Sequence, residues 1–224
     1  MKSTDLKLPG ANDFFTQEAY KVLRTNLQFC GPDVHVVALT SSGENEGKTT
    51  VTLGLAKSLA ELGKRVLVID ADMRKSVMAG RNTTAQNAAG LSEILTGFAK
   101  VHEVLYSTNG GYPHILFAGQ YPPNPVELLS GRYFNALLER SRDAYDYVLI
   151  DTPPLGSVID AAVIAPKCDG TLLVIGGNNV RYRKAQDVVA QLEKAGSKIL
   201  GVVRNNAPRK KADKYYGYGY GYGA

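Results

Sequence analysis

The stretch from His35 to Thr50, "HVVALTSSGENEGKTT", constrains this chain more than any other. An apolar run gives way to Ser, Gly, Glu and Asn and then to Gly47, Lys48 and Thr49; the following "TVTLGLAKSLAELG" carries the apolar spacing of a helix. A glycine-rich turn between a strand and a helix aims successive backbone N–H groups and the positive end of the helix at one point, a geometry that holds phosphate. The candidate cradle is Gly43, Glu44, Asn45, Glu46, Gly47, Lys48, Thr49 and Thr50. Lys48 would neutralise the β- and γ-phosphates of ATP, and Thr49 would place its hydroxyl on Mg²⁺. Against the strict pattern G-x-x-x-x-G-K-[ST], Ser42 stands where the first glycine is expected, with Gly43 beside it to supply flexibility. The competing reading is a chance glycine-lysine turn that caps a helix.

The same change of period recurs along the chain. Apolar runs rich in Val, Ile and Leu at 35–41, 65–70, 114–119, 147–151, 170–176 and 199–205 predict strands buried on both faces. Amphipathic stretches at 17–29, 48–62, 126–142, 157–165 and 181–195 predict the helices between them. That alternation predicts an α/β fold with a doubly wound, mostly parallel sheet of the P-loop NTPase type. Residues 76–112, with only short helical signals in "GLSEILTG" and "KVHEVLY", read as an excursion between strands. The chain has 224 residues, of which 44% are hydrophobic and 21% charged, enough for one well-filled core. One domain is expected over 1–207, followed by a basic, tyrosine-rich flexible tail over 208–224.

Two apolar runs end in acid. "RVLVIDADMR" closes on Asp70 and Asp72, and "YDYVLIDTPP" closes on Asp151, so these carboxylates converge on the edge that carries the glycine loop. Carboxylates at the ends of buried strands are costly unless a cation meets them, and Mg²⁺ with its nucleotide is the candidate. Taken singly, each aspartate has a structural alternative, such as capping by Asp72 or its pairing with Arg74.

Other functions are excluded by what is missing. No apolar run approaches the ~20 residues that cross a bilayer, and "MKSTDLKLPGANDFF" lacks the apolar segment of a secretion signal. Cys30 and Cys168 have no metal-type spacing and read as buried small residues in a reducing cytosol. The net charge of +5 is concentrated in "RKKADK" at 209–214 and around Arg181, Arg183 and Lys184, so no nucleic-acid surface is expected. The basic run is a solvated linker or a contact for an anionic membrane or an acidic partner.

Taken together, these motifs resemble the bacterial tyrosine kinases of capsule and exopolysaccharide synthesis, in the form whose cytoplasmic kinase and membrane activator are separate proteins. The resemblance spans nearly the whole chain. It rests on "SSGENEGKTT", "VLVIDADMR", "VLIDTPP", "PPNPVELL", "EAYKVLRTNL" and the terminal tyrosines. It implies that Lys48 and Thr49 hold the phosphates and Mg²⁺, with Asp72 and Asp151 near the metal, and that Asp70 is the base for an incoming tyrosine hydroxyl. It implies an adenine contact for Asn205, although Asn205 and Asn206 also suit a turn. The family's self-association motif E-x-x-R-x-x-R is met by Glu18 and Arg24, with Lys21 in the middle place; lysine keeps the charge and loses the bidentate fork. Its alternative is a plain amphipathic surface helix. The resemblance further implies a homo-oligomeric ring, an octamer being one candidate size, a separate transmembrane activator, protein substrates and a tyrosine phosphatase. The cytoplasmic chain would be recruited to the inner face of the cell membrane. Partitioning and cell-division ATPases of the same fold carry an additional lysine where this chain has Gly43.

The end of the chain, "KYYGYGYGYGA", suits a substrate better than a scaffold, because a kinase must bring each hydroxyl in line with the γ-phosphate. Tyr215, Tyr216, Tyr218, Tyr220 and Tyr222 are the expected phosphoacceptors, used in trans by a neighbouring copy. Phosphorylation would add about −1.5 to −2 charge at each and loosen the assembly. A low-complexity extension without consequence, or a stacking segment, is the alternative.

Overall fold

The structure is a computed structural model that describes residues 2–4, 13–81, 88–108, 111–176 and 182–207. Strands β1 (Lys2–Thr4), β2 (Val36–Ser41), β3 (Val66–Asp70), β4 (Leu105–Thr108), β5 (Gly111–Leu116), β6 (Tyr147–Asp151), β7 (Gly170–Gly176) and β8 (Ile199–Asn205) form an 8-stranded sheet in the order β1-β4-β5-β3-β6-β2-β7-β8. All neighbours are parallel except β4 and β5, so the sheet is mostly parallel as expected.

Helices α1 (Phe14–Gln28) and α2 (Lys48–Glu61) lie on one face; on the other lie α4 (Leu91–Leu95), α6 (Pro125–Ser130), α7 (Arg132–Ala144) and α8 (Asp160–Ile164). Short helices α3 (Met78–Arg81) and α5 (Val101–Val104), a 3₁₀ turn (Ala165–Lys167) and the longer α9 (Tyr182–Lys194) complete the described elements. The strand period of two divides the core. Val37 and Leu39 of β2, Val66 and Val68 of β3, and Leu149 of β6 join α2's Val51, Leu53, Leu55 and Leu59. Val36, Ala38, Leu67, Ile69, Val148 and Ile150 face Leu95, Leu129, Phe134 and Ile164 instead. Continuing that parity puts Asp70 and Asp151 on the α2 side, and the β3–β6 register pairs them directly.

Several sequence expectations change. Strands β1 and β4 were not expected: they are too short to show a period, and β4 is hidden in "KVHEVLY", whose first half is α5. The strand expected over 114–119 stops at Leu116, because the carbonyls of Phe117 and Ala118 accept from the N–H groups of Leu91 and Ser92 at 2.8 and 3.0 Å. The helix expected over 126–142 is broken at Gly131, whose φ of −72° and ψ of 166° are extended. Helix α1 starts earlier than position 17, because the Asp13 carboxylate accepts from Thr16 N–H at 3.0 Å and caps it. Cys30 and Cys168 are free and only half-buried.

Helix α1 docks on α2 through a close approach. A side chain at Gly54 would begin 2.0 Å from the Tyr20 ring, and the Tyr20 hydroxyl donates to the Thr50 carbonyl at 3.1 Å. Farther along, Arg24 Nη1 donates to the Ser58 carbonyl at 2.7 Å and reaches its hydroxyl at 3.3 Å. Among the described residues no helix is long and apolar enough to cross a membrane. The tail with Tyr215, Tyr216, Tyr218, Tyr220 and Tyr222, and the basic run before it, lie outside the described residues.

Candidate active site

The loop between β2 and α2 wraps tightly at the carboxyl end of the sheet. Asn45 and Gly47 take left-handed backbone conformations, with φ of 61° and 87°. The Glu46 carboxylate closes the turn by accepting from the Ser42 N–H at 3.0 Å and the Ser42 hydroxyl at 2.6 Å. Ser42 therefore replaces the missing glycine with a hydroxyl that has its own partner. From β8, Asn205 Nδ2 donates to the Glu46 carbonyl at 3.0 Å, and a Cβ on Gly47 would fall 1.9 Å from that nitrogen. Asn205 thus braces the loop from behind. No side chain caps α2, which leaves the N–H groups of its first turn to an anion.

A cavity of about 150 Å³ opens against this loop. Glu44, Asn45, Glu46, Gly47, Lys48, Thr49 and Thr50 line it together with Asp72, all of them expected; Gly43, Asn205 and the more deeply buried Asp70 and Asp151 do not. Also lining it are Arg74, Lys75, Val77, Ser157 and Val158, which the sequence reading did not assign to the site. The signal available for Arg74 was its place two residues after Asp72, as Asp72 stands two after Asp70.

The carboxylates sit where strand parity puts them. Asp151 is 1% exposed, and its Oδ2 accepts from the Thr49 hydroxyl at 2.6 Å. Its Oδ1 makes no hydrogen bond, and Lys48 Nζ lies 3.9 Å from it. Burial pushes the Asp151 carboxyl above the usual carboxylate range, while Lys48 and Thr49 pull it back. Asp70 accepts from the Ser76 hydroxyl and, at 3.2 Å, from the Asp72 N–H; burial, with the Asp151 charge added, pushes it up to about 8. Asp72 is less enclosed and accepts from the Lys75 N–H at 3.0 Å. Arg74, offered above as a partner for Asp72, pairs with Asp160 instead at 3.0 Å.

These residues fit Mg²⁺. The buried, unpartnered Oδ1 of Asp151, the Thr49 hydroxyl and Asp72 supply hard oxygen donors around the loop. No group of three or more His, Cys, Asp or Glu side chains is gathered as a metal cage among the described residues. Mg²⁺ does not need one, because it keeps water and shares phosphate oxygens with one or two carboxylates.

The expected self-association residues are partly used within the chain. Glu18 and Lys21 form an exposed pair at 2.6 Å along α1, and Arg24 is spent on Ser58.

Strand, phosphate loop, Lys48, Thr49 and a buried aspartate at the end of β6 define a P-loop nucleotide-binding protein. A family described as "AAA domain" matches residues 34–175. The tyrosine-protein kinase CpsD of Streptococcus agalactiae is 40% identical over 205 residues, 92% of this chain and 89% of that protein. The tyrosine-protein kinase YwqD of Bacillus subtilis is 36% identical, over 90% of this chain and 85% of its own length. Among solved structures, the VpsO kinase domain superposes with a TM-score of 0.81 at 36% identity, covering 88% of this chain and 97% of that one. The chain belongs to the bacterial tyrosine-protein kinase family. A more distant likeness, MinD of Pyrococcus horikoshii complexed with Mg-ADP, has a TM-score of 0.65 at 26% identity over 80% of this chain and 72% of that one.

Proposed function

We propose that this chain is an ATP-dependent protein-tyrosine kinase that phosphorylates the C-terminal tyrosines of a second copy of itself and regulates capsular or exopolysaccharide synthesis. The observation that carries the reading is the unpartnered, buried Oδ1 of Asp151 beside Thr49 and Lys48, a place made for a cation that brings phosphate. The loop from Gly43 to Thr50 binds the phosphates, Asn205 holds the loop's shape and contacts the nucleotide base, and Asp72 and Asp151 with Thr49 hold Mg²⁺. Bound Mg²⁺ draws charge from the β- and γ-phosphates. In the transfer, the bond from the bridging oxygen to the γ-phosphorus breaks with its electron pair left on ADP, and the phenol oxygen bonds to that phosphorus. The phenolic proton passes to Asp70 in its ionised form, and the phenol takes the donor place that the Ser76 hydroxyl holds.

The kinase domain spans 1–207, and the tail 208–224 presents Tyr215, Tyr216, Tyr218, Tyr220 and Tyr222. Copies assemble through the Glu18, Lys21 and Arg24 face of α1 into a ring, and a separate transmembrane activator recruits them to the inner face of the cell membrane. A tyrosine phosphatase resets the tail. The test is mass spectrometry of the full chain incubated with Mg·ATP, with the activator's cytoplasmic segment added. Phosphotyrosine in the tail that Lys48→Met abolishes supports the reading; hydrolysis with no transfer to protein overturns it in favour of an ATPase switch.

A further inference from the structure

Arg74 is a cation of the cavity that the roles above leave unused. The chain leaves β3 with side chains alternating: Met73 is 4% exposed and packs into the apolar cluster, whereas Asp72 and Arg74 both line the cavity. Arg74 Nε donates to both carboxylate oxygens of Asp160, at 3.0 and 3.2 Å. Asp160 is 1% exposed in the first turn of α8. A buried carboxylate is costly unless a cation meets it, and a guanidinium that meets it through one nitrogen keeps the rest of its planar fork in a fixed direction. Only Nε is spent on it; the two terminal amino groups find no partner among the described residues.

The other cations lining the cavity are accounted for, Lys48 by its role at the nucleotide phosphates and Lys75 by an ion pair. Lys48 faces Asp151 at 3.9 Å, and Lys75 is tied to Glu44 at 2.8 Å. In phosphoryl transfer the developing charge spreads over the equatorial oxygens of the moving group, and a planar donor fork fits two of them at once.

We propose that Arg74, aimed by Asp160, donates to the oxygens of the transferring phosphoryl group. Arg74 is then a catalytic residue supplied by the same chain that binds the nucleotide, and Asp160 is its positioning residue. This rests on the kinase reading and adds a role to it.

The test compares binding of Mg·ADP with binding of Mg·ADP plus aluminium fluoride, a mimic of the transferring group, by calorimetry on the full chain and its variants. Arg74→Ala should leave Mg·ADP affinity within about threefold of the parent and weaken the fluoride complex by roughly a hundredfold, the size of one lost transition-state donor. Arg74→Lys keeps Asp160 partnered and covers the case in which the alanine variant does not fold; it should keep ADP binding and still lose most of the fluoride complex. Asp160→Asn should lower kcat about tenfold with little change in the KM for ATP, following the loss of one aimed donor. Equal weakening of both ligands in Arg74→Lys, or an unchanged fluoride complex, overturns the proposal. Failure of the parent chain to bind Mg·ADP would overturn the nucleotide site itself.

Discussion

Replacing Asp70 by Asn should make the nucleotide-free protein more stable at alkaline pH while lowering its activity. Asp70 is 1% exposed, shares its strand register with Asp151, and has a carboxyl pushed up from 3.8 to about 8. A group that binds its proton more tightly when folded favours folding fully below its unfolded value, and that support is lost as pH rises to the folded value. Stability of the parent chain should therefore fall between about pH 4 and pH 8. Full conversion at 1.36 kcal/mol per pH unit gives on the order of 6 kcal/mol, and relaxation around the carboxylates reduces this to about 2–4 kcal/mol. Asparagine keeps an acceptor for the Asp72 N–H and can pair with Ser76 without a charge. At pH 8, without metal or nucleotide, Asp70→Asn should unfold roughly 5–15 °C above the parent, and the gap should close toward pH 5. Scanning calorimetry in a chelator across pH 5 to 8.5 reads this directly. A gap that does not change with pH, or a variant less stable at pH 8, would refute the reasoning.

Gly47→Ala puts a Cβ 1.9 Å from Asn205 Nδ2 at a φ of 87°, so it should cost about 1–3 kcal/mol and weaken Mg·ADP binding at least tenfold by calorimetry. Thr49→Val removes the donor 2.6 Å from Asp151; it should reduce Mg²⁺-dependent ATP binding strongly and metal-free ADP binding little, in titrations with and without chelator. Arg24→Ala removes both contacts to Ser58 and should cost about 1.5–3 kcal/mol in urea unfolding, whereas Glu18→Ala breaks an exposed pair and should change stability by less than about 0.5 kcal/mol. Equal effects of these last two would show that α1 is not held through Arg24.

The central strands were legible because they are buried on both faces, so Val36–Ser41, Val66–Asp70 and Tyr147–Asp151 read as apolar runs, the first leading into the glycine loop and the other two ending at the acids that matter. The loop was legible for the same reason: a strand before it and a helix after it give Gly47, Lys48 and Thr49 one sensible geometry. The edge strand Ile199–Asn205 was legible too, but the two short strands beyond β5 were not. Lys2–Thr4 becomes a strand by pairing with Leu105–Thr108 across 100 residues of intervening chain, a contact with no local signature, while Leu105–Thr108, which also pairs with the nearby Gly111–Leu116, is too short to show a period. Arg74 stayed hidden for a related reason, since its partner Asp160 lies beyond β6 and its role comes from that meeting. Asn205 could be read as a base contact or a turn residue, and its bond to the Glu46 carbonyl gives it a third part in holding the loop.

The central claim is tested most directly by mixing two forms of the chain: one carrying Lys48→Met with its tail intact, the other with an intact site and every terminal tyrosine from Tyr215 to Tyr222 changed to Phe. With Mg·ATP, the account predicts phosphate on the tail of the Lys48→Met copy, and only when the second form is present. Tail phosphate on the Lys48→Met copy incubated alone, or none in the mixture while the unaltered chain labels itself, would contradict it.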